Sequence, residues 1–157
     1  MDLLTLALLC GPMVDPAMTL RVISVESAGH PYAIHDNTNG KTYQGATVPG
    51  AATVARILIQ AGHRIDLGLM QINYDVWLRP TRFAIEKAFD PCTNVRLGTT
   101  ILSANYARAL GRSGTWRDAL YRALSQYNSG SDSKSLAYAR TVLTGRTPAK
   151  MIRGARR

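Results

Sequence analysis

The chain has 157 residues, a length that fits one domain with a hydrophobic core of its own. Hydrophobic residues make up 46% and charged residues 18%, a balance that is ordinary for a globular protein and excludes a disordered or collagen-like chain. The 19 Lys and Arg against 10 Asp and Glu leave a net charge of +9, so the protein should attract polyanions. Nucleic acids, anionic membranes and acidic cell-wall polymers would all attract a positively charged protein, so the net charge does not discriminate among these partners.

The chain begins with an apolar stretch, Leu3 to Cys10. It is shorter than the roughly 20 apolar residues that span a bilayer, and Asp2 stands where a signal peptide carries basic residues. Leu9 disfavours a lipoprotein cleavage site before Cys10, because the residue at that position is normally small. We interpret this stretch as a first core helix and predict no transmembrane segment; export would depend on a leader that is not evident in this sequence.

Local signals predict an almost wholly helical domain over residues 1–145. Asp15 followed by Pro16 is typical of a helix start, and this second helix should run to Ser27. Residues 30–50 are rich in Gly, Asn, Thr and Pro, and Asn39-Gly40 predicts the turn of a small hairpin. Further helices are predicted at 51–61, from Asp90-Pro91 to Gly111, from Thr115 to Gly130 and at 133–144. Residues 146–157 carry five Arg or Lys and are predicted to form a basic C-terminal tail.

Two glutamates occur in the chain, and they occupy different settings. Glu26 follows Val22 and Ile23 by four and three residues, so it continues the apolar face of its helix. Partial burial would raise the pKa of this carboxyl and suit it to general acid catalysis. The structural alternative is that Glu26 binds a backbone amide or an arginine at the helix end. Glu86, beside Lys87, is interpreted as a solvated helix charge.

Other kinds of site find little support. The three histidines lack the spacing of zinc ligands, and no phosphate-binding glycine loop or serine nucleophile elbow occurs. No metal or cofactor is therefore predicted. Cys10 and Cys92 lie far apart in the sequence, and two interpretations stay open: a disulfide, or two separate buried thiols.

A set of motifs in fixed order resembles the soluble lytic transglycosylases, which have a goose-lysozyme-like fold. They are Glu26-Ser27 with Pro31 to Ile34, then Gly68 to Asn73 (GLMQIN), then Ala123 to Gly130 (ALSQYNSG), and finally Tyr138-Ala139-Arg140. Within that family, Cys10-Gly11-Pro12, Ile65-Asp66 and Asp90-Pro91-Cys92 followed by Asn94 resemble the VirB1-like branch, which serves type IV secretion and conjugation. Ala28 and His30 depart from the small glycine and the asparagine that are common in the family.

The resemblance implies a mainly α, lysozyme-like domain and a mechanism with one catalytic glutamate. Glu26 would protonate the bond between N-acetylmuramic acid and N-acetylglucosamine, and the muramyl 6-hydroxyl would close a 1,6-anhydro ring. The resemblance places the remaining site residues in the substrate groove: Ser27, Met70, Gln71, Asn73, Tyr127, Asn128 and Tyr138. Met70 and Tyr127 could instead be core residues, and Gln71, Asn73 and Asn128 could satisfy loop backbone groups.

Three rival functions remain. If Asp66 acted as a second carboxylate and activated water, the protein would be a lysozyme-like muramidase. It could also be a wall-binding assembly module without activity, although an intact Glu26 argues against that. A nucleic-acid-binding function rests on charge alone. The expected partners are peptidoglycan strands and proteins of a secretion apparatus, with no specific nucleic acid, and the expected location is the periplasm or cell envelope.

Overall fold

The structure is a computed structural model, and it describes residues 1–145. The predicted basic tail, 146–157, lies outside the described residues. The chain divides into two compact units, which are described separately below. We call residues 26–98 the sheet unit, and residues 1–25 together with 99–145 the helical unit. The expectation of a single domain over 1–145 stays a prediction.

The helical content agrees with the predicted mainly α fold class, which is confirmed. Several helices begin where a side chain caps the first free amides, as Asp2, Asp15 and Thr115 do. The helix Trp116–Ser129 ends at Gly130, whose φ of 69° is the left-handed conformation that favours glycine. The helices are α1 Leu3–Cys10, α2 Pro16–Ser27, α3 Val48–Gln60, α4 Ile85–Ala88, α5 Pro91–Leu110, α6 Trp116–Ser129 and α7 Leu136–Thr144.

Two helix boundaries differ from the prediction. The α3 helix begins three residues earlier than Ala51, because Thr47 caps it by accepting a hydrogen bond from the Gly50 amide and Pro49 fits its first turn. The α7 helix begins at Leu136 rather than at 133. The residues directly before this helix form a turn, in which the Ser135 amide donates to Ser125 Oγ at 2.8 Å.

The sheet unit contains a four-stranded antiparallel sheet that is larger than the predicted hairpin. Its strands lie in the order β2-β1-β3-β4. The hairpin turn at Asn39-Gly40 is present, but β3 and β4 add strands from a segment whose type the sequence did not reveal. A π-helical segment, Tyr74–Leu78, follows β4. The strands are β1 Ala33–Asp36, β2 Lys41–Gln44, β3 Ile65–Leu67 and β4 Ile72–Asn73.

The register gives this sheet one apolar and one polar face. Ile34 pairs with Leu67, which pairs in turn with Ile72, and all three side chains are buried. Residues that pair directly across antiparallel strands point to the same side, so the neighbouring positions form a second row on the other face. We call this second set the polar row; it consists of Thr42, His35, Asp66 and Asn73.

Each unit contributes its own set of buried apolar side chains. Full burial of one Leu, Ile or Phe stabilises a fold by roughly 1.5–3 kcal/mol relative to exposure, so these residues dominate the packing. The sheet unit buries Ile34, Leu58, Ile65, Leu67, Leu69, Met70, Ile72, Leu78, Phe89 and Val95. The helical unit buries Leu6, Leu20, Val22, Ile23, Leu102, Ala119, Ala123, Leu124, Ala139 and Val142.

Within residues 1–145, none of the helices combines the length and the apolarity needed to cross a bilayer. Both cysteines, Cys10 and Cys92, are disulfide-bonded rather than free thiols.

Candidate functional site

The predicted acid, Glu26, lies in the last turn of α2 and is partly buried. The helix ends directly after it, because Ala28 and Gly29 take left-handed conformations with φ of 51° and 85°. A left-handed alanine is unusual and costs conformational energy, which other contacts must offset. The position of Glu26 is therefore fixed by an abrupt helix end rather than by a helix that frays into solvent.

Ser27 ties this helix end to the segment that carries the GLMQIN motif. Its hydroxyl donates to the Leu69 carbonyl oxygen at 2.8 Å and accepts from the Gly29 amide at 3.2 Å. The side chain is buried, so both bonds are formed away from water. The structure thus places Ser27 as a residue that positions the Glu26 helix end.

The turn at 68–71 has a strained backbone that its neighbours hold in place. Gly68 has a φ of 80° and Gln71 a φ of 48°. Only glycine fits at Gly68, since a Cβ there would lie 2.8 Å from the Ala88 carbonyl oxygen. Gln71 Nε2 donates to the carbonyl oxygens of Gly68, at 2.7 Å, and Ala33, at 3.3 Å. Gln71 therefore closes its own turn, and its amide oxygen accepts no hydrogen bond from a described residue.

Asn94 supports this turn from α5; it belongs to the motif that resembles the VirB1-like branch, but no role at the site was predicted for it. Its side chain is almost fully buried. Its Oδ1 accepts from the Met70 amide at 2.7 Å, and its Nδ2 donates to the carbonyl oxygens of Leu67 and Ala88 at 2.9 and 2.8 Å. One amide side chain thus satisfies three backbone groups that would otherwise be buried without partners. A lone asparagine in a helix carries no sequence signal for such a role.

Met70 lies in the core of the sheet unit, as the alternative interpretation of this position expects; its place in the substrate groove stays a prediction from the family resemblance. Its side chain is fully buried. It packs against Gly98 of α5 so closely that a Cβ at Gly98 would lie 2.5 Å from the Met70 sulfur. In this structure Met70 acts as a packing residue under the turn, as the core interpretation of that position predicts.

Asp66, the candidate second carboxylate, belongs to the polar row. Its Oδ1 accepts from Asn73 Nδ2 at 2.7 Å and its Oδ2 from Asn37 Nδ2 at 2.8 Å. Burial raises the pKa of Asp66 above its usual 3.8, although the two amides oppose the shift. Asn73 also accepts from the Val76 amide at 3.0 Å, so its side chain bridges Asp66 and the π-helical segment. Asn73 thus has a structural role in this fold.

Asp36 and His63 form a second polar contact in the sheet unit, one that the sequence did not indicate. Asp36 Oδ2 lies 2.6 Å from His63 Nδ1, and Asp36 Oδ1 accepts from the Thr38 amide at 2.9 Å. Burial of Asp36 opposes its ionisation, but these hydrogen bonds outweigh that effect and hold its pKa below 3.8. This pair fixes the end of β1 to the loop before β3.

Glu86 is a solvent-exposed helix charge, as interpreted from the sequence, and it also has an ion-pair partner. It forms an ion pair with Arg56 of α3, and both side chains are about half exposed. The hydrogen bond from Arg56 holds the pKa of Glu86 below its usual value. Glu86 therefore remains an ionised surface residue and differs clearly from Glu26 in setting.

The remaining predicted site residues belong to the helical unit. Tyr127 and Asn128 occupy the last turn of α6; Tyr127 is partly buried and Asn128 is exposed. Asn128 makes no side-chain hydrogen bond to any described residue, so its amide is available to a ligand. Tyr138 lies in the first turn of α7 and is partly buried. The turn between these helices is built on Ser125, whose hydroxyl donates to the Ser131 carbonyl oxygen at 2.7 Å.

Comparison with known proteins shows which family this chain belongs to. The family model described as Transglycosylase SLT domain matches residues 6–142. Protein virB1 of Agrobacterium fabrum is 33% identical over 146 residues, which cover 86% of this chain and 55% of that protein. Type IV secretion system protein virB1 of Brucella suis is 35% identical over 129 residues, covering 81% and 53%. The chain thus spans about half the length of these relatives. No solved structure matches it.

Proposed function

This chain belongs to the transglycosylase SLT domain family, and on that premise we propose that it is a peptidoglycan lytic transglycosylase whose catalytic acid and base is Glu26. The observation that carries the proposal is the fixed end of α2. There a partly buried glutamate directly precedes Ser27, whose hydroxyl is bonded to the Leu69 carbonyl oxygen of the GLMQIN turn. Strained backbone that the surroundings enforce is concentrated at functional sites.

The proposed reaction needs no second carboxylate. Protonated Glu26 gives its proton to the glycosidic oxygen between N-acetylmuramic acid and N-acetylglucosamine, and the bond from that oxygen to muramyl C1 breaks. The Glu26 carboxylate then takes the proton of the muramyl 6-hydroxyl, whose oxygen bonds to C1 and closes the 1,6-anhydro ring. The enzyme returns to its starting protonation state and no water is consumed. One acid/base group is sufficient because the nucleophile is part of the substrate, which makes its effective concentration very high.

The described residues support one glutamate in this role over a pair of carboxylates. Glu86 is ion-paired and about half exposed. Each oxygen of Asp66 already accepts a hydrogen bond from an asparagine side chain. A hydrolase would need a carboxylate that points at the attacking water, whereas these two bonds direct Asp66 toward its neighbouring asparagines. We therefore favour the transglycosylase over the water-using muramidase.

The roles of the other residues follow from their contacts. Among the described residues, the Gln71 amide oxygen and the Asn128 side-chain amide have no hydrogen-bond partner, so we propose that both bind sugar hydroxyl or acetamido groups. Ser27 and Asn73 act through the backbone and side chains that they hold, as positioning residues. Tyr127 and Tyr138 are proposed, from the family motifs alone, to bind the substrate.

The names of the relatives suggest a setting for this activity. Proteins called type IV secretion system protein virB1 and Protein virB1 cover most of this chain. We propose that the chain opens the wall locally for such an apparatus, in the periplasm or cell envelope, together with its component proteins. A deletion strain complemented with wild type but not with Glu26→Gln should recover secretion or conjugation.

The direct test is product analysis. Purified wild type, Glu26→Gln and the matched control Glu86→Gln are incubated with peptidoglycan sacculi, and the soluble fragments are identified by mass spectrometry. We expect anhydromuramyl ends from wild type and from Glu86→Gln, and none from Glu26→Gln. Hydrated reducing ends would instead indicate a muramidase and direct attention to Asp66. No fragments from folded wild type would support a wall-binding module without activity.

A further inference from the structure

A cleft of about 250 Å³ lies in the helical unit, between the C-terminal part of α5 and α6. We call it the arginine cleft. It is smaller than the roughly 300–1,000 Å³ of most pockets for complete small molecules, so it suits a single functional group on a larger ligand. Its polar lining consists of Asn105, Arg108, Arg112, Arg122, Gln126 and Asp132.

The charges of the arginine cleft are unbalanced. Three guanidinium groups face one carboxylate, that of Asp132. Asp132 Oδ2 lies 3.6 Å from Arg122 and 3.9 Å from Arg112, too far for good hydrogen bonds. Arg122 has a closer partner outside this lining, Asp118, at 2.8 Å. The lining therefore holds an excess of positive charge, with its internal counter-ion only loosely engaged.

Of the three arginines in the cleft, Arg108 has the fewest partners among the described residues. It forms no ion pair with any described residue. Its one side-chain hydrogen bond to a described residue goes to Oδ1 of Asn105, which is only 4% exposed. Arg108 is exposed, and this bond to a buried asparagine anchors one of its donors. A held guanidinium with free donors is well suited to bind a carboxylate through two parallel hydrogen bonds.

We propose that the arginine cleft binds a carboxylate group of the peptide stem on peptidoglycan, an inference that rests on the proposed function for its substrate. In peptidoglycan the stem peptides carry the free carboxylates, whereas the N-acetylated sugars to which they are attached are uncharged. A singly charged carboxylate fits better than a phosphate dianion, because Asp132 remains nearby and repels a second negative charge. Binding here would hold the stem while a separate site acts on the glycan.

Direct binding tests this proposal without any need for cleavage. The probe is the synthetic stem tripeptide L-alanyl-γ-D-glutamyl-meso-diaminopimelate, titrated into wild type, Arg108→Gln and Arg64→Gln by NMR. Arg64 is an exposed arginine of the sheet unit whose side chain bonds to no described residue, so its variant removes the same charge elsewhere. We expect Arg108→Gln to weaken binding by about tenfold, as the loss of a hydrogen-bonded charge predicts, and Arg64→Gln to leave it unchanged.

Four results would overturn the proposal: no binding of the tripeptide, an equal loss in both variants, no loss in Arg108→Gln, or tighter binding of inorganic phosphate than of the tripeptide. The first result would exclude a stem site, the second would mean non-specific charge attraction, and the last would mean a general oxoanion site. Melting temperatures equal to that of wild type would show that each variant is folded. Arg108→Lys should restore only part of the affinity, since lysine lacks the planar pair of donors.

Cleavage assays then separate this proposal from the proposed function. Arg108→Gln should lower kcat/KM on intact sacculi but not on glycan strands whose stems an amidase has removed and whose exposed lactyl carboxylates have then been converted to uncharged amides. If wild type cleaves neither substrate, the proposed function fails, and the binding experiment still decides the cleft. If wild type cleaves both substrates and the tripeptide does not bind, the cleft proposal alone fails.

Discussion

Replacement of Asn94 by alanine is the most informative test of how the GLMQIN turn is held. The substitution removes three hydrogen bonds at once and leaves the Met70 amide and the carbonyl oxygens of Leu67 and Ala88 without their partner. A buried polar group that loses its partner costs about 1–3 kcal/mol. Water entering the space left by the side chain would recover part of that, so we expect a loss of about 3–5 kcal/mol in the free energy of unfolding.

Urea denaturation can measure this loss in the sheet unit itself. Trp77 lies in that unit and Trp116 in the helical unit, so a Trp116→Phe background makes fluorescence report on Trp77. The matched control is Asn39→Ala, which loses one exposed hydrogen bond, to the Lys41 amide, and should change stability by at most about 0.5 kcal/mol.

An Asn94→Ala loss below about 1 kcal/mol would refute the reasoning, because it would show that the three backbone groups find other partners or were never desolvated. Asn94→Asp is a second check. It keeps the size of the side chain but replaces the amide donor by an oxygen facing two carbonyl oxygens, so it should destabilise the sheet unit strongly at neutral pH.

Three further predictions concern packing, pH and the cysteines. Gly98→Ala should destabilise the fold by about 1–2 kcal/mol, because its Cβ would lie 2.7 Å from the Met70 Cβ. At Gly50 in α3 the nearest atom to an added Cβ is Thr47 Oγ1, at 3.3 Å, so Gly50→Ala should change the stability by less in the same thermal melts. The lowered pKa of Asp36 means that its ionised form stabilises the fold above its unfolded pKa of about 3.8, and that this contribution is lost as the pH falls through the lower folded value. The stability difference between wild type and Asp36→Asn should therefore shrink below about pH 4 in denaturation series; a difference independent of pH would mean that the contact with His63 gains nothing from the charge. Finally, neither cysteine of unreduced, unfolded periplasmic protein should react with an alkylating reagent, and modification of both would show that the disulfide does not form in the cell.

The sequence by itself determined the helices whose ends carry local signals. The starts at Asp2, Asp15 and Thr115 and the end at Gly130 depend on contacts within four residues, so they can be read from neighbouring side chains. The same holds for the turn at Asn39-Gly40. Glu26 was identified on the same local basis, as a carboxyl on the apolar side of a helix near its end.

Only the tertiary structure decided the parts that depend on distant residues. The β3 and β4 strands are too short to show a period, and they exist because β1 pairs with β3 across some thirty residues. Met70 became a core residue because Gly98 leaves room for it, and Asp66 became a structural acceptor because Asn37 and Asn73 reach it. Asn94 supports the turn because the backbone groups of Leu67, Met70 and Ala88 lie within hydrogen-bond distance of its side chain. Pairing and burial of this kind are set by which segments meet in space, and a single sequence records that only indirectly.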